Sequence, residues 1–335
     1  MSGFPVIADT AFVEAPWLLV VKSIVIFAVM FAVLPLLTVL ERKLLGRFQQ
    51  RYGPNRVGPV GLLQPLADVG KLLGKEHFRP DGAVPFLFAI GPLLVVLSGI
   101  LAIAIIPFGN VVDGVGLYGI DVSIGILYFF AVGSIAFYGL LLAGWSSGSK
   151  YSFLGAMRAA AQLISYEVAM GLSLLGVIFM AGSLSLVDIV EAQDKMWFIV
   201  PQIVGFIVFM LAGFAETNRT PFDLPEADAE LVAGYQTEYG GMRFGSFLLA
   251  EYIEITVVSA IGAAMFLGGF LGPGPDWLGP LWMGIKTFVL ILMFIWIRAT
   301  IPRVRYDQLM SLGWKILLPI ATLNALVTAV VVTLT

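Results

Sequence analysis

Long uninterrupted apolar runs recur along the chain, separated by shorter polar stretches. They fall at approximately 17–40, 84–106, 122–145, 159–181, 197–215, 244–271, 281–301 and 311–334. Each comes close to or exceeds the ~20 residues that a helix needs to cross about 30 Å of hydrocarbon. Apolar and polar residues do not alternate within them, as the strands of a membrane barrel require. Backbone groups in hydrocarbon must be satisfied within their own segment, so the runs predict helices. The expected architecture is an all-α integral membrane protein with about eight transmembrane helices, a single polytopic domain over 1–335. The loops at 41–83, 146–158, 216–243 and 302–310 share one side. Within the first loop, Leu62, Leu66, Val69 and Leu73 recur at spacings of three and four, with Asp68, Lys71 and Lys75 at polar positions. That pattern predicts an amphipathic interfacial helix. An ordinary helix packed on neighbouring protein fits it as well; an amphiphilic ligand entering from the membrane would need such a doorway.

The basic residues orient the bundle. Of the 19 Lys and Arg, 8 lie in the loop after the first run, 2 after the third, 2 after the fifth and 4 in and around the loop after the seventh. These loops are therefore cytoplasmic (or on the matrix side in an organelle), with both termini on the opposite side. Only Lys195 lies in an outer loop; Lys22 and Lys286 fall inside runs, near outer ends from which their amines can snorkel.

Composition narrows the chemistry. Charged residues make up 12% of the chain, about half of what a soluble domain of this length carries. A net charge of −3 argues against a nucleic-acid partner. With 0 Cys and 1 His, His77, the chain can form no disulfide, ligate no iron–sulfur cluster through cysteine and build no histidine site for a metal or haem. Electrons, if any are handled, must arrive from another chain. The opening MSGFPVIADTAFVEAPW lacks the basic region of a cleaved signal peptide, so the first helix is expected to be retained.

Acids carry the remaining information. Glu167 lies inside the fourth run, and Glu251 and Glu254 inside the sixth, three residues apart on one helix face. A charge at membrane depth costs a few kcal/mol or more and usually faces the bundle interior or a wet cavity. Each could be a structural group bonded to a neighbouring helix; the functional alternative is a proton relay. The loop after the fifth run reads AETNRTPFDLPEADAEL from Ala215 to Leu231. Asp223 and Glu226 fit a capping box, which gives part of this acidity a plain structural use. Yet 8 of the 22 acids lie between Glu216 and Glu254, running from the aqueous side toward the bilayer centre. Arg298, Arg303 and Arg305 are positive-inside anchors that can also partner the loop acids. Gly114 to Gly119 matches a dinucleotide fingerprint, but no strand–helix–strand unit is expected around it. The pairs Gly144 and Gly148, and Gly268 and Gly272, have the spacing of close helix contacts.

Several stretches resemble a known family. ERKLLGR at 41–47, GPNRVGP at 53–59, GLLQP at 61–65, AQLISYE at 161–167, ETNRTPFDL at 216–224 and RVRYDQLM at 303–310 are similar to the H-type, quinone-proximal membrane subunits of NADH–quinone oxidoreductase, respiratory complex I. The resemblance runs through nearly the whole chain in order. It implies eight transmembrane helices, a quinone tunnel opening to the membrane beneath a peripheral redox arm, and acids that begin a proton-coupling path. By that resemblance the relay acids are Glu167, Glu216, Glu226, Asp228, Glu230 and Glu251. The tunnel and its gate are Arg42, Arg47, Asp68, Arg219, Phe222, Asp223 and Arg298. Asp228 stands where relatives often carry Glu, and Glu254 has no firm counterpart in the family pattern.

The resemblance further implies quinone as substrate, with no FMN, iron–sulfur cluster or metal held by this chain. Implied partners are peripheral iron–sulfur and quinone-site subunits on the cytoplasmic side, small and antiporter-like membrane subunits, and lipid, in a bacterial inner membrane. Rival readings are the equivalent membrane component of a membrane-bound hydrogenase, a self-contained proton transporter, and a structural anchor. The first generally departs from the Asn218 to Leu224 pattern, the second calls for internal symmetry that the halves lack, and the third leaves the buried acids unexplained.

Overall fold

The computed structural model describes residues 16–112, 115–223 and 233–334. Its helices, in chain order, are α1 Pro16–Phe48, α2 Gln64–Leu73, α3 Pro85–Ile103, α4 Gly125–Ser146, α5 Lys150–Ala181, α6 Leu186–Glu191, α7 Ile203–Glu216, α8 Gly241–Phe266, α9 Gly279–Thr300, α10 Tyr306–Leu312 and α11 Leu318–Leu334. A π turn at Gly313–Leu317 joins the last two into one long rod. Among the described residues, seven helical segments are long and apolar enough to cross a membrane: α1, α3, α4, α5, α8, α9 with its preceding turn, and the α10–α11 rod. The chain is an all-α integral membrane protein that crosses the bilayer several times.

Three departures from the expected pattern have physical causes. First, α7 is only 14 residues long. The start of the fifth apolar run, up to Gln202, is a series of turns around Pro201. At ~1.5 Å per residue α7 measures about 21 Å, short of a full hydrocarbon core. Second, α1 and α5 extend past their apolar runs into the inner loops, with 33 and 32 residues. The region expected as a loop at 146–158 is therefore mostly helix. Third, the connection after α3 contains an antiparallel hairpin of β1 Pro107–Val112 and β2 Val115–Tyr118. The glycine pattern rejected as a nucleotide site overlaps this hairpin, with Gly114 itself outside the described residues.

The α8 helix is the axis of the bundle: 72% of its apolar window is buried, against 22% for α1 and for the α10–α11 rod. It packs on α3 and α9, while α5 packs on α4, α7 and α11. Without an aqueous hydrophobic drive between lipid-embedded helices, close packing of small residues holds them. Gly91 of α3 lies against Ala143 of α4, Gly99 of α3 under Ile253 of α8, and Gly144 of α4 against Ala156 of α5. Gly268 and Gly272, by contrast, lie beyond the end of α8, against Trp197 and Trp282, and make no helix–helix seam. Leu62, Leu66, Val69 and Leu73 are exposed in and around α2, leaving an apolar stripe uncovered at the end of the bundle where α1 finishes.

Candidate functional site

Two constellations of ionisable side chains lie within the bundle, and Asn218 and Arg219, adjacent in the chain, contribute one residue to each. The first centres on Arg219, in the tight loop that follows α7. Gln162 of α5 donates from Nε2 to Ala215 O at 2.7 Å and to Phe222 O at 2.9 Å, clamping both ends of this loop. Phe222 is buried and faces Tyr166 with ring centroids 6.1 Å apart. Asn218 takes a left-handed backbone at φ 50, a conformation that asparagine tolerates better than most residues. The loop thereby drives Arg219 inward until it is 5% exposed.

There Arg219 forms ion pairs with Glu41 of α1 and Glu251 of α8, while Arg298 of α9 pairs with the same Glu41. The guanidinium lies 4.6 Å from the Tyr252 ring centroid. Burial works against charge on Arg219, but Glu251 and then Glu41 outweigh it and raise its pKa above the ordinary value. Two cations thus offset two anions, the condition under which buried charges are tolerated.

The second constellation lines a small cavity of about 50 Å³, among whose walls are Ser98, Glu167, Glu216, Asn218 and Glu254. Ser134 Oγ of α4 donates to Glu167 at 3.3 Å. Glu216 Oε2 and Asn218 Oδ1 are buried without a hydrogen-bond partner. Buried polar atoms are nearly always satisfied, so this cavity is suited to water.

In the last two turns of α1, Arg42 binds Asp68 of α2 at 2.5 Å, with Gln64 and Lys71 also reaching Asp68. Burial of Asp68 opposes ionisation, but the hydrogen bonds from Arg42 and Gln64 win and hold its carboxyl below the usual range. Arg303 binds Asp223 at 2.8 Å.

The sequence-predicted residues therefore separate. Arg219, Glu251 and Arg298 come together, as do Glu167 and Glu216, and Arg42 with Asp68. Phe222 and Asp223 sit in the clamped loop. Arg47 is exposed in the last turn of α1, apart from these clusters. Glu226, Asp228 and Glu230 lie outside the described residues. Glu41 is not among the expected site residues, yet it pairs with two arginines. Glu254, without a firm counterpart in the family pattern, lines the cavity. Lys286 does not snorkel to open water: it is buried and donates to Gly269 O at 2.9 Å and Leu271 O at 2.6 Å. Lys22 donates to Gly116 O at 3.3 Å in the hairpin.

A bundle of this kind, with compensated charges and an orphaned carboxylate oxygen inside an apolar wall, defines a multi-pass membrane protein with an ion-paired interior. Comparison with known proteins gives the family. A family model described as NADH dehydrogenase matches residues 21–329. The first of the H-type subunits of NADH-quinone oxidoreductase in Geobacter metallireducens is 51% identical over 312 residues, 92% of this chain and 94% of the relative. The second such subunit of Geobacter sulfurreducens is 52% identical with the same coverage, and the H-type subunit of Protochlamydia amoebophila 50% identical over 297 residues, 88% of this chain and 91% of the relative. The chain belongs to the family of H-type subunits of NADH-quinone oxidoreductase. It is, as such, a membrane subunit of an oxidoreductase complex.

Proposed function

We propose that this chain lines much of a quinone tunnel and begins the carboxylate relay that couples quinone reduction to proton translocation. The observation that carries this reading is the placement of Glu216. Its carboxyl group has a buried, unpartnered oxygen in a cavity shared with Glu167, while Arg219, three residues on, bridges Glu41 and Glu251. A carboxylate kept only for structure would be saturated by donors, as Glu41 is.

In this reading partner chains supply the electrons through flavin and iron–sulfur centres, and quinone is the substrate. Two electrons and two protons convert quinone to quinol. Negative charge arriving beside the inner loop favours protonation of nearby carboxylates and weakens the ion pairs of Arg219. Arg219 is the hinge of the response, because its loop follows directly on Glu216 and holds Phe222. The exposed apolar stripe of α2, tethered through Asp68 to Arg42, suits the entry of an amphiphilic substrate from the membrane. Glu226, Asp228 and Glu230, which lie outside the described residues, are further acids of this relay by the family resemblance. Partners are the peripheral iron–sulfur and quinone-site subunits on the inner side, and small and antiporter-like membrane subunits alongside.

Affinity purification in mild detergent, followed by labelling with a photoactivatable quinone, tests this. Co-purifying flavin and iron–sulfur chains, with label in the 216–224 loop or on α1 near Glu41, are expected. A lone stable chain, or label confined to partner chains, would contradict the reading.

A further inference from the structure

The cavity contains a carboxylate that the relay just described does not use. Glu254 of α8 lies three residues beyond Glu251 on the same helix face. It lines the cavity of Glu167 and Glu216. Acidic residues from α5, α7 and α8 thus line one small cavity. Like charges lining one small space repel one another, an arrangement suited to sharing protons. Glu41 and Glu251 are neutralised by Arg219 and Arg298. Among the described residues Glu254 has no hydrogen bond and no ion pair, so no structural contact accounts for it.

A second observation points to what fills the gap. The Asn218 side chain is 9% exposed and its Oδ1 is unpartnered, as is Glu216 Oε2, and both residues line the cavity. Its volume of about 50 Å³ exceeds the ~10–15 Å³ needed for one water. We propose that Glu254 is a third proton-holding carboxylate of this cavity, exchanging a proton with Glu216 through water held at Asn218. The O–H bond of the Glu254 carboxyl breaks as one forms on the water, and the water gives a proton to the Glu216 carboxylate. Glu254 becomes the anion, Glu216 becomes neutral, and no electron moves. Because Glu251 is ion-paired three residues away, Glu254 connects the Arg219 cluster to the cavity. This inference rests on the reading that Glu216 carries protons.

The test uses the whole complex reconstituted in vesicles, with Glu254→Gln, Glu254→Asp and Glu216→Gln compared. Readouts are protons translocated per quinone reduced and the carboxyl bands in infrared difference spectra on quinone reduction. Glu254→Gln is expected to lower translocation several-fold and remove one carboxyl band, and Glu254→Asp to restore most of the translocation with a shifted band. Normal translocation and an unchanged spectrum in Glu254→Gln, beside an impaired Glu216→Gln, would overturn the inference and leave the relay standing. Normal translocation in both would overturn the relay itself. Should Glu254→Gln fail to assemble, Glu254→Asp decides, and an unshifted spectrum overturns the inference.

Discussion

At the scale of single residues, the inner half of the bundle depends on Arg219. Removing one partner of a buried ion-pair cluster leaves an uncompensated charge, at a cost of about 3–5 kcal/mol. Arg219→Ala is therefore expected to lower the thermal stability of the purified complex by that order, or to prevent assembly. Arg219→Lys should fall between, because lysine keeps the charge but loses the fork that reaches two carboxylates. Asp68 gives a pH signature. Its carboxyl is held below the ordinary range, so the Arg42 tether is fully present above an unfolded pKa of about 3.9 and is lost as pH falls through the lower folded value. Hydrogen exchange over residues 64–73 should be faster in Asp68→Asn than in the parent at neutral pH, and that difference should vanish at strongly acidic pH. Part of this site is legible in the sequence: acids inside apolar runs announce themselves by their cost. Glu41 does not, because it borders the basic loop and reads as a surface charge; its partners Arg219 and Arg298 are 178 and 257 positions away.

Among the secondary-structure elements, the apolar runs locate helices well and their ends poorly. Hydropathy marks where lipid begins and ends, and α1 and α5 continue beyond it on helical propensity and packing. The hairpin escapes a sequence reading because Pro107–Val112 and Val115–Tyr118 are too short for a periodic signal. The Gly144 and Gly148 spacing marks a helix contact only in its first half: Gly148 takes φ 69 in the turn after α4. At Gly144, an added Cβ would lie 2.2 Å from the Ala156 side chain and 2.6 Å from Ser152 O. Gly144→Ala should force α4 from α5, which carries Glu167. Overpacking of this sort costs typically about 1–3 kcal/mol, and differential scanning of the complex should show a lowered transition.

For the whole molecule, charge asymmetry and helix parity make one joint statement. With 16 of 19 basic residues in the odd-numbered loops and their flanks, and with α7 counted as a crossing despite its 14 residues, the positive-inside rule predicts that both termini face away from the cytoplasm. A protease added outside spheroplasts should then remove tags at either end; removal of only one would mean that α7 does not cross. The larger claim is that this bundle holds ionisable groups in its interior because protons move through them. Proton translocation per quinone reduced, measured in vesicles containing the assembled Glu216→Gln complex, tests it most directly. The account predicts assembly with quinone reduction retained in part and translocation severely depressed, and translocation equal to the parent complex would contradict it.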